Sequence, residues 1–94
     1  KRKAVVERYR ERLQGTKGIT LGKENPDATP NYAYFPVVFD GYRYTRDEVF
    51  ERLKGQGITA RKYFYPLTNS FACYAGRPGF DSDLTPVAKH VAER

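Results

Sequence analysis

Apolar residues at Val5, Tyr9 and Leu13 recur at every fourth position, Val6 stands beside them, and charged residues fill most of the remaining places. That period predicts an amphipathic helix over residues 1–14, ended by Gly15. The turn-rich connection GTKGITLGKENPDATPN follows, in which Ile19 and Leu21 suit a short strand and Pro26 and Pro30 punctuate the rest. At YAYFPVVF, residues 32–39, the period falls to two. Ala33, Phe35, Val37 and Phe39 share one face of the predicted strand, and Tyr32, Tyr34, Pro36 and Val38 the other, so both faces are largely apolar. Pro36 has no N–H to give to a ladder, which places this strand at an edge or gives it a bulge.

The segment TRDEVFERLKGQG carries its own helix start and stop. Thr45 with Glu48 fits a capping box, Val49, Phe50 and Leu53 form the stripe to be buried, and Gly55 or Gly57 closes the helix. ITARKYFY, residues 58–65, alternates as a second strand, with Ile58, Ala60, Lys62 and Phe64 on one face and Thr59, Arg61, Tyr63 and Tyr65 on the other. Pro66 stops it. After an irregular stretch from Leu67 to Asp83, Thr85 as cap and Pro86 at the first helical position open a third helix, with Val87, Ala88, Val91 and Ala92 as its apolar stripe. These elements predict one α+β domain: a small antiparallel sheet with helices packed on one side.

Composition modifies this picture at a few points. Aliphatic residues are few and Met and Trp are absent, so eight Tyr and six Phe must supply much of the packing, with their hydroxyls paired or at the surface. The net charge of +6 favours polyanionic partners at long range, yet basic and acidic residues interleave even in KRKAVVERYRER, as on a solvated helix face. A single cysteine, Cys73, excludes an intrachain disulfide, and no apolar run approaches the roughly 20 residues of a bilayer span. The expected setting is the cytoplasm, without a membrane partner. The helical pattern is already running at Lys1 with no cap before it, and PVAKHVAER stops with its pattern in progress. The expectation is a piece of a longer protein.

Candidate chemistry is sparse. One His, one Cys and scattered carboxylates have no zinc-type spacing, so no metal site is expected. Cys73 and His90 read as packing and surface residues, and no glycine-rich loop opens a helix in phosphate-binding register. Lys62 interrupts an otherwise apolar face, and two readings stand: its ammonium snorkels past Phe64 to water, or it meets an anionic ligand. Arg61, Tyr63 and Tyr65 have the groups to stack a base or hydrogen-bond a phosphate or sugar hydroxyl. One function class is therefore a free-standing basic module that binds nucleic acid through the RKYFY strand.

The other class comes from a resemblance. NYAYFPVVFDG, then TRDEVFERLKGQGITARKYFYPLTNSFACY, then DLTPVAKHVAER resemble, in order and spacing, the C-terminal part of the DegT/DnrJ/StrS family of PLP-dependent nucleotide-sugar aminotransferases. The strand-helix-strand ending in ARKYFYP is the most specific part. The resemblance implies that residues 1–94 are the small domain of a fold-type I aminotransferase, inactive alone, whose own large domain holds the PLP, the lysine that carries it and the aspartate facing its ring nitrogen. It further implies a homodimer that transfers an amino group, typically from glutamate, to a keto-sugar on a nucleoside diphosphate, with no nucleic acid as partner. In that family the loop after the second strand lies at the active-site rim. Lys62, Tyr63, Tyr65 and Asn69 are the substrate-binding residues so implied, with no catalytic and no cofactor-binding residue in the chain. Asn69 stands where close relatives often carry a His; an amide donates and accepts but does not titrate.

Overall fold

In the computed structural model, which describes all residues from Lys1 to Arg94, the element order is α1 (Arg2–Leu13), β1 (Ile19–Leu21), β2 (Val37–Phe39), α2 (Arg46–Gly55) and α3 (Pro86–Ala92). Short 3-10 turns at Thr68–Ser70, Ala72–Tyr74 and Ser82–Leu84 occupy the stretch before α3. Three helices and a two-stranded antiparallel sheet make a small α+β chain. It divides into two compact units, Lys1–Thr45 and Arg46–Arg94. No helix is long and apolar enough to cross a membrane.

In the first unit, β1 pairs with β2 in the register Ile19 to Phe39, Thr20 to Val38 and Leu21 to Val37, and α1 packs against β1. One further bond, Asp40 N–H to the Gly18 carbonyl at 2.9 Å, closes the end of the ladder. Gly18 has φ of +78°, a region that residues with a side chain rarely adopt, and the Tyr42 backbone occupies the place where a Cβ would stand. Arg10 joins three parts of this unit. It donates to the Gly22 carbonyl at 2.9 Å, pairs with Glu24 at 3.1 Å, and lies 5.8 Å from the centre of the Phe35 ring. Tyr9 stacks on the same ring at 5.4 Å.

Two expectations for this unit need correction. The strand expected over residues 32–39 forms only at Val37–Phe39. Pro36 cannot donate to a ladder, and upstream the Asn31 side chain accepts from Ala33 N–H at 3.0 Å while Tyr32 takes φ of +54°, so residues 31–33 turn instead of extending. The stripe of α1 is also less covered than its period implies: Val6 is buried, whereas Val5 and Tyr9 are exposed.

In the second unit, α2 ends as its glycines lead one to expect, and the structure selects Gly57. Ile58 N–H reaches back to the Leu53 carbonyl at 2.9 Å and Gly57 N–H to that of Lys54 at 3.0 Å, with Gly57 at φ of +76°. This is the Schellman arrangement, in which a left-handed residue lets two orphan carbonyls find donors. Val49, Phe50 and Leu53 are half-buried.

The strand expected over residues 58–65 is absent, because the sheet contains β1 and β2 alone. Alternation describes which side chains would share a face, but a strand also needs a partner for its backbone, and here side-chain contacts hold the segment instead. Phe64 and Ile58, read as part of one apolar face, are exposed. Thr85 precedes α3 and its carbonyl accepts from Lys89 N–H at 2.9 Å, with Pro86 first in the helix as expected. Its hydroxyl does not cap, however; it donates to the Ser82 carbonyl at 3.1 Å. Of the α3 stripe, Ala92 is buried while Val87 and Val91 are exposed.

Candidate functional site

Two of the four residues singled out in the sequence, Lys62 and Tyr65, are placed by how α2 begins and ends. Its first turn places Arg46, Asp47 and Glu48 at the positive end of the helix, where carboxylates are favoured. The Gly57 exit then sends residues 58–65 back, so that Lys62 comes to the helix start. Lys62 Nζ lies 2.9 Å from Asp47 Oδ1 and 5.0 Å from the centre of the Phe50 ring. Its partner is thus a carboxylate of the chain itself, which neither sequence reading of this lysine included.

Arg46 meets the same oxygen. Its Nε and Nη2 each lie 2.9 Å from Asp47 Oδ1, and Nη1 donates to the Ala92 carbonyl at the end of α3. The guanidinium carbon of Arg46 lies over the Tyr65 ring, 4.5 Å from its centre. Two cations thus share one carboxylate oxygen. They also hold the Asp47 carboxyl below the usual carboxylate range, first through the hydrogen bond from Lys62, then through that from Arg46.

Lys62 and Tyr65 are therefore brought together, through Asp47 and Arg46. The Tyr63 ring stacks on Phe64 at 3.9 Å, and both rings are exposed. Asn69 is tied to another part of the unit: its amide donates to Thr85 Oγ1 at 3.0 Å and to the Asp81 carbonyl at 3.4 Å. Close by, Asp81 Oδ1 accepts from Asp83 N–H at 2.9 Å, and Asp83 pairs with Lys89, whose ammonium is held in its charged form more firmly than usual by that bond. Arg46 and Asp47 were missed in the sequence because they read as an ordinary helix entry. The available signal was Lys62 itself, a cation on an apolar face that needed a counter-ion.

No group of three or more His, Cys, Asp or Glu side chains is placed to hold a metal ion. Cys73 is exposed and so does not serve as a packing residue. The strand presenting alternate rings and cations, on which the nucleic-acid reading rested, does not form.

Lys62, the lysine among the residues singled out, does not fit a pyridoxal phosphate site. The lysine of this segment faces Asp47 and Phe50, in a row of cation, carboxylate and cation. A PLP site needs a lysine beside a phosphate cradle, a ring-stacking group and an acid for the ring nitrogen.

Comparison with known proteins agrees along the whole chain. The model of the DegT/DnrJ/EryC1/StrS aminotransferase family matches residues 1–94. The chain is 41% identical, over 95 residues, to the dTDP-4-amino-4,6-dideoxy-D-glucose transaminase of Escherichia coli, a match covering 100% of this chain and 26% of that protein. It is 37% identical over 67 residues to the protein of the same name from Shigella dysenteriae, covering 70% of this chain and 18% of the relative. The chain thus spans about a quarter, or less, of the length of these relatives. No solved structure matches it. From its first residue to its last, the chain belongs to the DegT/DnrJ/EryC1/StrS aminotransferase family.

Proposed function

We propose that residues 1–94 form the C-terminal small domain of a PLP-dependent aminotransferase that passes an amino group from glutamate to a keto-sugar carried on a nucleoside diphosphate. The observation that carries this reading is the 41% identity, over the whole chain, to a transaminase named for a dTDP-linked sugar. The parent works in the cytoplasm as a homodimer. Its large domain supplies the cofactor site, since Lys62 does not fit one, and this chain is inactive alone.

The part played by this chain is to form one wall of the substrate site with the segment from Lys62 to Asn69. Tyr63 and Tyr65 are exposed rings with hydroxyls, able to pack against a sugar or base and to hydrogen-bond it. The Lys62 ammonium has three donors, and its pairing with Asp47 fixes the group while leaving the others for substrate. Asn69 adds an amide oxygen, its NH2 being engaged by Thr85 and Asp81.

The test uses the full-length parent with nitrogen-15 glutamate and a panel of nucleoside-diphosphate keto-sugars, followed by mass spectrometry. The expected result is labelled amino-sugar in amounts equal to the 2-oxoglutarate formed, and none with the 94-residue chain alone. A folded parent that labels no nucleotide-sugar would overturn the reading.

A further inference from the structure

We propose that Arg46 is a positioning residue for this wall: it holds the Tyr65 ring against its guanidinium and, through the shared Asp47 oxygen, fixes the Lys62 ammonium. The inference rests on the reading of Lys62 to Asn69 as a substrate wall. What it adds is a residue outside that wall that sets its shape.

Every nitrogen of the Arg46 guanidinium has a partner within the chain: Nε and Nη2 on Asp47, Nη1 on the Ala92 carbonyl. The guanidinium carbon in turn lies over the Tyr65 ring. The side chain is 13% exposed, so it is poorly placed to meet a ligand itself, whereas the Tyr65 residue it holds is 51% exposed and the Lys62 side chain 28%. A covered holder beside more exposed held groups is the arrangement expected of a support that acts through its neighbours. The ion pairs by themselves would be weak supports, because Asp47 is largely in water. The planar fork is the distinctive part: it engages a carboxylate through two nitrogens while its central carbon lies over a ring, which a lysine ammonium cannot do. Arg46 also links the start of α2 to the last residue of α3, so the support has a fixed base.

The experiment is a double-mutant cycle in the full-length enzyme on Arg46→Gln and Tyr65→Ala, reading KM for the nucleotide-sugar and kcat separately. Each single change should raise that KM about 3- to 30-fold with little change in kcat, and the double variant should be no worse than the worse single, because residues that act as a unit are not additive. Arg46→Lys, which keeps the charge and loses the fork, should resemble Arg46→Gln, and it supplies the same cycle if the glutamine variant does not fold. Effects that multiply in the double variant would overturn the positioning role while leaving the wall intact. A fall in kcat or in bound cofactor with KM unchanged would overturn it too. If Tyr65→Ala alone leaves KM unchanged, Tyr65 is not part of the wall, and the inference falls with that reading.

Discussion

Gly18 allows the sharpest test of the fold. A methyl group placed on its Cα would lie 2.1 Å from the Tyr42 backbone nitrogen, 2.3 Å from the Gly41 carbonyl carbon and 2.5 Å from the Tyr42 Cα. These are main-chain atoms, which cannot rotate away as a side-chain tip would. Gly41 offers a matched control, since its φ is also +78° but nothing lies within 4 Å of where its Cβ would stand. Alanine at either position meets the left-handed backbone cost of about 1–2 kcal/mol. At Gly18 the backbone must also shift to admit the methyl, about 1–3 kcal/mol. That shift breaks the bond from Asp40 N–H to the Gly18 carbonyl, worth about 1 kcal/mol. Gly18→Ala should therefore cost about 3 kcal/mol more than Gly41→Ala, or about 150-fold in the local opening constant. Amide hydrogen exchange in the full-length protein reads this directly, as faster exchange at Asp40 and along β1 and β2. Equal exchange in the two variants would refute the close approach of Gly18 to Tyr42.

Three further outcomes can be checked. The Asp47 carboxyl is held below its usual range in the folded chain, so the stability it contributes is complete above the ordinary value of about 3.9 and is lost as pH falls through the lowered one; Asp47→Asn should remove that part of the acid dependence, and an unchanged acid limb would show that the carboxyl is not held. Tyr63→Ala in the parent should raise KM for the nucleotide-sugar about 5- to 30-fold with kcat nearly constant, as expected if the ring and hydroxyl bind ground and transition states equally, by about 1–2 kcal/mol; an unchanged KM would show that Tyr63 lies outside the wall. Alkylation of the exposed Cys73 should leave turnover largely intact, and inactivation that substrate prevents would place this thiol at the site.

What was legible in the sequence is what adjacent residues decide among themselves. The close of α2 at Gly57 needs only a residue that tolerates positive φ a few positions after the last helical turn, and Pro86 at the start of α3 needs only its missing N–H. Ile19–Leu21 and Val37–Phe39 were legible as extended segments, but not their pairing with each other, which joins residues far apart in the chain. Residues 58–65 were misread because their alternation is local while a sheet partner is not. Lys62 and Asp47 are fifteen positions apart, and no pattern within a window of that segment shows that a turn at Gly57 returns one to the other. Asn69 was singled out by resemblance, and the tie of its amide to Thr85 follows from where the chain goes after Pro66, which the run of turn residues leaves open.

Val6 and Ala92 are the buried apolar side chains of the two units, while Phe64, Leu84 and Val87 remain in contact with water. The heat capacity of unfolding comes mainly from apolar surface that becomes newly hydrated, and here much of that surface is hydrated already. The chain by itself should therefore have a flat stability curve, gaining or losing little on cooling or mild warming. Its denaturant dependence should be shallow for its length, because the slope follows the area exposed. A scanning calorimeter would record a low, broad endotherm between nearly level baselines.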